Sequence, residues 1–293
     1  MTKFLNSTLG VTGASGHLGH RVIELLLEAG AKHVVAVTRD PGKLADLAAR
    51  GVEVRKGSFA DPGALVSAFA GIERLLLVST DDVVGRLSQQ VAAVEAAEAA
   101  GVGHIAYTSV TSPYPDPEAF VPNSHFWTEA RLIGGKADWT LLRNNLYADY
   151  QIPAAQHAIS SGTLFHATGD GRRAFVTRED CAAAAAGALL RAEGKRIYDV
   201  SGPAALSADD LADLFSSLSG RPVRAQNVAP ADLKAGLAQG GVPDAMASVL
   251  AQFDHDAARG YLGIVTGAVE ELAGRAPQSV EEFLSSNRVA LAA

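Results

Sequence analysis

The segment VTGASGHLGH, residues 11–20, constrains the fold of this 293-residue chain more than any other feature. An apolar run leads into it, and glycines follow at positions 13, 16 and 19 before a helix-forming stretch. The first glycine permits a tight turn, the second allows close approach of a phosphate, and the third lets the helix pack against the strand. Because backbone N–H groups and the helix dipole converge there, the segment predicts a phosphate-binding β-strand–turn–helix unit.

Short β-branched runs alternate with helical patterns through the first half of the chain. The predicted strands are Leu9–Thr12, His33–Thr38, Val52–Val54, Leu75–Thr80, His104–Ser109 and Trp139–Leu142. The predicted helices include His17–Ala29, Gly63–Phe69 and Leu87–Ala100. Asp40 and Asp61 each precede a proline, the arrangement of a capping acid before the first helical residue. This alternation predicts an α/β fold of Rossmann type, a doubly wound parallel sheet covered by helices on both faces.

The sequence becomes mostly helical after about Gly202. SADDLADLFSSLSG predicts a capped helix that ends at Gly220, and RPVRAQNV predicts a short strand after it. We therefore predict a dinucleotide-binding core over residues 1–150. Residues 151–293 are expected to supply the remaining strands and a smaller, mostly helical C-terminal lobe that binds substrate. Since no long linker separates them, we expect core and lobe to be interleaved.

Composition excludes several classes of function. The chain has 25 Lys and Arg against 32 Asp and Glu, a net charge of −7, and it lacks a basic tract, which argues against a nucleic-acid partner. No apolar run reaches the roughly 20 residues of a membrane span, and about a dozen residues before the glycine segment leave no room for a signal peptide. The single cysteine, Cys181, and histidines without metal-ligand spacing predict a cytoplasmic protein without a disulfide or a metal site.

The glycine spacing is G-x-x-G-x-x-G, and with it the chain resembles the short-chain dehydrogenase/reductase superfamily. The other segments, AVTRDPGKLADLAARGVEVRKGSF, GIERLLLVST, HIAYTS and WTLLRNNLYADY, resemble its NmrA-like atypical branch. Within that branch the chain is most similar to type 2 NAD(P)H:quinone oxidoreductases and triphenylmethane reductases. The resemblance implies an NAD(P)H-dependent oxidoreductase that reduces a quinone or a similar planar aromatic compound.

The end of the second strand distinguishes NAD from NADP, because an acid there holds a ribose hydroxyl and an arginine accommodates a 2′-phosphate. Asp40 suits a helix cap, which leaves Arg39 and Lys43 to meet a phosphate, so NADP(H) is favoured over NAD(H). The alternative, with Arg39 as a solvated charge and Asp40 on the ribose, stays open. The family often has an acid where Ser58 stands, which puts that contact in question. The predicted cofactor-binding residues are Gly13, Ser15, Gly16, His17, Leu18, Gly19, Arg39, Lys43, Ser58, Phe59, Ser79, Thr80, Ser109 and Asn144.

Common short-chain dehydrogenases protonate a carbonyl with a Tyr-x-x-x-Lys pair, in which the lysine lowers the pKa of the tyrosine. No tyrosine here has a lysine four residues later, and the predicted helix after the fifth strand has Phe126 and Ala130 in their place. A quinone or a cationic dye tolerates this loss, because it accepts hydride directly and water protonates a quinol oxygen afterwards.

Three residues are predicted to be catalytic by the resemblance. His125, in NSHFWTEA, matches a histidine of quinone reductases, and Asn145 and Tyr147 match a segment that borders nicotinamide and substrate. His125 could orient or protonate a quinone oxygen, Asn145 could hydrogen-bond it, and Tyr147 could stack on a planar ring. Structural roles stay open for all three, as a buried histidine, a turn asparagine and a core tyrosine.

The segment SPYPDPEAFVPN, residues 112–123, contains four prolines and predicts a stiff extended loop suited to a pocket wall. The expected partner is a small planar aromatic or quinone substrate, and a homodimer is left open. Two other functions also stay open. One is a tailoring oxidoreductase or oxygenase of polycyclic aromatic secondary metabolites, and the other is a non-catalytic NADP-binding redox sensor that docks a regulatory protein. An intact pocket would favour an enzyme, and a plugged pocket the sensor.

Overall fold

The computed structural model describes residues 3–82 and 85–288. The chain divides into two compact units. Among the described residues, the first unit comprises residues 3–82, 85–143, 179–198 and 268–275, and the second comprises residues 144–178, 199–267 and 276–288. Both units are therefore assembled from segments that are far apart in the sequence.

The strands are β1 (Thr8–Val11), β2 (His33–Thr38), β3 (Glu53–Lys56), β4 (Arg74–Leu77), β5 (His104–Val110), β6 (Asp138–Asn144), β7 (Thr163–His166), β8 (Arg196–Val200) and β9 (Arg224–Asn227). The helices are α1 (His17–Glu28), α2 (Ala45–Ala49), α3 (Pro62–Phe69), α4 (Arg86–Ala99), α5 (Phe120–Ile133), α6 (Gln151–Ser161), α7 (Arg178–Arg191), α8 (Ala208–Ser219), α9 (Pro230–Gln239), α10 (Asp244–Ala258), α11 (Ala268–Ala273) and α12 (Val280–Ser286). Short 3₁₀ helices cover Pro41–Leu44 and Ala148–Tyr150.

Among the described residues, a seven-stranded sheet has the order β3-β2-β1-β4-β5-β6-β8. β1 pairs in parallel with β2 and with β4, so that Gly10 lies opposite Val35 on one side and Leu75 on the other. The order of the strands reverses at this point, and open α/β sheets bind ligands beyond the carboxyl ends of the strands at such a reversal. The predicted Rossmann-type, doubly wound parallel sheet is confirmed.

One core of the first unit lies between the sheet and helices α3, α4 and α5. Leu65 and Phe69 of α3 pack with Leu75 of β4 and Tyr107 of β5, and all four side chains are fully buried. All four residues of β4 are buried, because a parallel strand inside the sheet is covered on both faces. The continuous apolar run in the sequence follows from this double covering.

β4 ends at Leu77, three residues before its predicted end. Beyond it, side-chain oxygens of neighbouring segments replace the regular backbone pairing. Thr12 Oγ1 accepts a hydrogen bond from the Val78 N–H at 2.9 Å, and Thr108 Oγ1 accepts one from the Ser79 N–H at 2.9 Å. Residues after Leu77 are thereby held at the carboxyl edge of the sheet without continuing the strand.

The second unit contains a two-stranded parallel sheet, in which Thr163 of β7 lies opposite Arg224 of β9. Helix α8 starts with a capping box at Ser207 and ends at Gly220, which has a φ of +71°. The predicted capped helix and the predicted strand after it are therefore confirmed. Strands β7 and β8 were not predicted, since both are short and lack a continuous apolar run.

The predicted extended loop over residues 112–123 is only partly correct. Irregular backbone runs to Ala119, but α5 already begins at Phe120 and contains Pro122 in its first turn. Proline fits there because N–H groups of the first turn have no intrahelical partner. Among the described residues, no helix combines the length and the apolar character needed to cross a membrane.

Candidate active site

The glycine loop between β1 and α1 is shaped for close approach of a ligand. Gly13 has a φ of +60°, in the left-handed region that favours glycine. A Cβ atom at Gly19 would lie 2.5 Å from the Gly13 carbonyl oxygen, so a side chain there would separate α1 from the loop. Gly16 precedes α1 without a capping side chain, and the first turn carries no acidic residue. The N–H groups of this turn are therefore suited to an anion.

The predicted loop residues differ in exposure. Ser15, Gly16 and His17 are exposed at the start of α1, whereas Leu18 and Gly19 are buried behind them. The exposed residues carry the backbone groups that a phosphate would reach. The two buried residues pack α1 onto the sheet and hold that arrangement in place.

The end of β2 presents two cationic side chains. Arg39 and Lys43 are exposed, and neither forms an ion pair with another residue of the described ranges. Asp40 Oδ1 accepts a hydrogen bond from the Gly42 N–H at 3.1 Å and caps the 3₁₀ helix that follows. Thr38 Oγ1 donates to Ser15 Oγ at 3.0 Å and ties the end of β2 to the glycine loop. The predicted capping role of Asp40 is confirmed.

The other predicted cofactor contacts follow β3 and β4. Ser58 and Phe59 are half-buried after β3, and Phe59 packs against the core. Ser79 Oγ accepts a hydrogen bond from Thr108 Oγ1 at 3.2 Å, and Thr80 Oγ1 accepts one from the Asp82 N–H at 3.2 Å. These residues lie in loops that leave the carboxyl ends of parallel strands.

Two pairs of side chains cross between β5 and α5, and we call them together the β5–α5 ladder: Tyr107 with His125, and Ser109 with Glu129. In the first pair, Tyr107 Oη lies 2.7 Å from His125 Nδ1, and Arg86 Nη1 lies 3.3 Å from His125 Nε2. Because a guanidinium only donates, Nε2 accepts, and Nδ1 carries the proton that it donates to Tyr107.

His125 is 4% exposed, and burial, together with the nearby charge of Arg86, lowers its pKa to about 3. Desolvation disfavours the imidazolium form because it removes the water that would stabilise its charge. His125 is therefore a neutral imidazole held in one tautomer. In this geometry both of its nitrogens have protein partners.

In the second pair of the ladder, Ser109 Oγ donates to Glu129 Oε1 at 2.6 Å. Arg143 donates from Nε to Oε1 at 3.0 Å and from Nη2 to Oε2 at 2.6 Å. Glu129 is 3% exposed, and a carboxylate buried to this extent requires such a bidentate cationic partner. Glu129 and Arg143 were not predicted as site residues from the sequence.

The two residues predicted at Tyr-x-x-x-Lys spacing do not face β5. Phe126 is half-buried and Ala130 is exposed, whereas His125 and Glu129 are buried and contact the strand. These two inward residues are also four apart, one turn along the helix. The expected positions were therefore one residue too far along α5, because spacing alone does not tell which side of a helix packs on the sheet.

The two predicted asparagines belong to the second unit. Asn144 is the last residue of β6, and Asn145 follows it. Asn145 Nδ2 donates to the Leu262 carbonyl at 3.0 Å, and Asn145 Oδ1 accepts from the Leu146 N–H at 2.8 Å. Both ends of this amide are thus bound to backbone groups, and the residue is 3% exposed. Asn144 is also buried, but its Oδ1 has no hydrogen-bond partner among the described residues.

Tyr147 stacks with Tyr150, which sequence reasoning did not select. Their ring centroids are 6.2 Å apart at an angle of 23°, and the Arg178 guanidinium lies 5.1 Å and 5.9 Å from the two centroids. The Asp149 carboxylate accepts hydrogen bonds from the backbone N–H and from Nη1 of Arg178, and these bonds hold the guanidinium beside the two rings. Tyr150 is 58% exposed, so the pair offers a flat aromatic surface. The spacing of two tyrosines in LYADY was the available sequence signal.

The chain is similar over nearly its whole length to known proteins. A family model described as NAD(P)H-binding matches residues 13–192. Quinone oxidoreductase 2 of Escherichia coli is 38% identical over 280 residues, which cover 94% of this chain and 97% of that protein.

Two solved structures extend this similarity to three dimensions. The NADPH-dependent quinone oxidoreductase of Escherichia coli, complexed with NADPH, has a TM-score of 0.90 at 37% identity and covers 96% of this chain and 99% of its own. Triphenylmethane reductase of Citrobacter sp., complexed with NADP(H), has a TM-score of 0.86 at 31% identity, with 95% and 99% covered.

Proposed function

The chain belongs to the NAD(P)H-binding family, as an NmrA-like atypical member of the short-chain dehydrogenase/reductase superfamily, and we propose that it reduces planar, electron-poor aromatic acceptors such as quinones with NADPH. The observation that carries the cofactor assignment is the pair of exposed cations, Arg39 and Lys43, without ion pairs among the described residues. Asp40, the acid that would suit NAD, is bound as a helix cap. When bound, NADPH supplies the hydride.

The acceptor class follows from the groups available to move a proton. Helix α5 contains neither a tyrosine nor a lysine, and His125 is neutral with its Nδ1 proton donated to Tyr107. A simple ketone needs a proton donor when hydride arrives, because negative charge develops on its oxygen. A quinone delocalises that charge and takes its proton from water. The chain is therefore suited to binding and orienting such an acceptor.

We assign acceptor binding to Tyr147, supported by its stack with Tyr150 beside Arg178. Two nearly parallel rings suit a flat aromatic molecule, since offset stacking adds to the burial of apolar area. His125 and Asn145 stay predictions as catalytic residues. Their hydrogen bonds with Arg86 and with the Leu262 carbonyl favour roles in positioning the surrounding chain rather than in contacting the acceptor.

The test follows NADPH absorbance against benzoquinones, naphthoquinones, triphenylmethane dyes and simple ketones, with and without oxygen. We expect turnover with quinones or dyes, none with ketones, and no requirement for oxygen. Tyr147→Ala should raise the acceptor KM about tenfold, while Tyr147→Phe keeps the ring and the wild-type value. Faster turnover of ketones than of quinones would contradict the proposal. An absolute requirement for oxygen would favour the oxygenase alternative.

A further inference from the structure

The hydroxyl of Ser109 has a fixed direction that the proposed reduction does not by itself require. A serine has one proton to donate and two lone pairs that accept. The proton goes to Glu129 Oε1, 2.6 Å away. Because a carboxylate only accepts and the guanidinium of Arg143 only donates, this bond cannot run in the opposite direction. Ser109 can therefore accept a hydrogen bond from a ligand but cannot donate one to it.

The position of Ser109 limits which ligand it meets. It is the second-last residue of β5, at the carboxyl edge of the sheet where open α/β sheets bind their ligands. Because the Ser109 oxygen can only accept a hydrogen bond here, it attracts an N–H or O–H group of a ligand and repels a carbonyl oxygen. The nicotinamide end of NADPH carries such a donor, the N–H₂ of its carboxamide.

We infer that Ser109 accepts a hydrogen bond from the carboxamide N–H of the nicotinamide, and that Glu129 and Arg143 are positioning residues that keep Ser109 an acceptor. The inference rests on the proposed use of NADPH. It also assigns Ser109 to the cofactor rather than to the quinone. A quinone oxygen has only lone pairs to present, and it would face a lone pair of Ser109 Oγ. The Ser109–Glu129 pair thus selects how the nicotinamide ring is turned.

A structural role alone makes a different prediction. Glu129 links β5, α5 and β6 through Ser109 and Arg143, and such a link would stabilise the fold whatever cofactor is bound. Its loss would then weaken the binding of every cofactor analogue by the same factor. If Ser109 binds the carboxamide, its loss weakens only cofactors that carry the N–H group.

The experiment measures Kd by fluorescence titration for NADPH and for its reduced 3-acetylpyridine analogue, in which a methyl group replaces the N–H₂. We expect the wild type to bind NADPH about tenfold more tightly than the analogue, the typical effect of one buried hydrogen bond. Ser109→Ala should lower this ratio below about threefold. Ser109→Thr keeps the hydroxyl and should restore the wild-type ratio.

Glu129→Gln tests the positioning role, because a carboxamide carries an N–H₂ donor that can turn towards Ser109, whereas a carboxylate only accepts. We expect it to lower the ratio towards that of Ser109→Ala. Glu98→Gln is the matched control. The Glu98 carboxylate, in α4, also pairs with an arginine, Arg131 of α5 at 2.7 Å, but it does not contact Ser109. It should leave the ratio at the wild-type value.

An unchanged tenfold ratio in Ser109→Ala would overturn the inference, as would equal binding of both cofactors by the wild type. If Glu129→Gln does not fold, the alanine and threonine variants of Ser109 still decide the result. A wild type that binds neither cofactor would contradict the proposed function as well. Binding without discrimination would contradict only the assignment of Ser109.

Discussion

The glycine loop of residues 13–19 and the β5–α5 ladder both belong to the first unit, yet they are built in opposite ways. The loop is made of backbone from one continuous segment, and its shape depends on the positive φ of Gly13 and on the close contact of Gly19 with the Gly13 carbonyl oxygen. The ladder is made of side chains from β5 and α5. Arg86 of α4 contacts its His125, and Arg143 of β6 contacts its Glu129. The loop can therefore be recognised in the sequence, whereas the ladder depends on how the helix packs.

Breaking the loop should have the largest effect on cofactor binding. In Gly19→Ala the new Cβ would lie 2.5 Å from a backbone oxygen, so α1 must move away from the loop. We expect NADPH affinity to fall at least about 100-fold, measured by fluorescence titration. Gly236→Ala in α9 is the control, because a Cβ there meets no atom within 4 Å. A loss below about threefold in Gly19→Ala would show that the loop tolerates a side chain.

The ladder should make the fold sensitive to acid. The pKa of His125 is about 3 in the folded protein and about 6.5 in an unfolded chain, so between these values the unfolded state binds a proton that the folded state does not. The unfolding free energy therefore falls as the pH drops through this window, by ~2 kcal/mol between pH 7.5 and 5 for this residue. His125→Gln should remove that part of the dependence in urea unfolding.

His104 provides the internal comparison for this experiment. It is buried beside Thr140, and its pKa is likewise lowered to about 3, chiefly by burial. His125→Gln should therefore retain a weaker pH dependence that comes from His104 and from His166, whose pKa is also lowered, chiefly by burial. Identical pH dependences in the wild type and the variant would mean that His125 is exposed or charged in solution.

The choice of cofactor should depend on Arg39, next to the loop. We expect the wild type to bind NADPH about tenfold more tightly than NADH, because a guanidinium pairs with a 2′-phosphate. Arg39→Ala should remove most of this difference and leave NADH affinity nearly unchanged. Arg50→Ala is the matched control, since Arg50 is also an exposed arginine but pairs with Glu24 at 3.8 Å. A wild-type preference for NADH would assign the ribose to Asp40 instead.

The smallest effect is expected from restoring the missing proton relay at its predicted positions. Ala130 is exposed and Phe126 is half-buried, so the double variant Phe126→Tyr, Ala130→Lys places neither group on β5. Quinone reduction should stay within about threefold of the wild type, measured as kcat/KM. A large gain would show that proton donation limits the native reaction and that the α5 surface reaches the acceptor.

Much of the fold could be predicted because it depends on local signals. The strands of the first half were placed within a few residues, and Asp40, Asp61 and Ser207 cap helices as their neighbours in the sequence suggested. The predicted bounds were wrong where side chains distant in the sequence bind the backbone. β4 ends early because Thr12 and Thr108 bind the backbone that follows it.

The candidate site shows the same division. The glycine loop and the cations after β2 are close in the sequence to the elements that position them, and they could be named from residue order. The partners of the predicted catalytic residues could not. Nothing in the order of residues pairs His125 with Arg86, or Asn145 with the carbonyl of Leu262.

The sequence by itself determined the parallel α/β fold, the phosphate-binding turn and the absence of a Tyr-x-x-x-Lys pair, because each depends on residue types at short spacing. Only the tertiary structure decided which residues of α5 face β5. The packing of the helix turns Glu129 towards Ser109 and leaves Ala130 in solvent. A rotation of about 100° per residue separates these two neighbours, and the contact surface of the helix determines which of them can do chemistry.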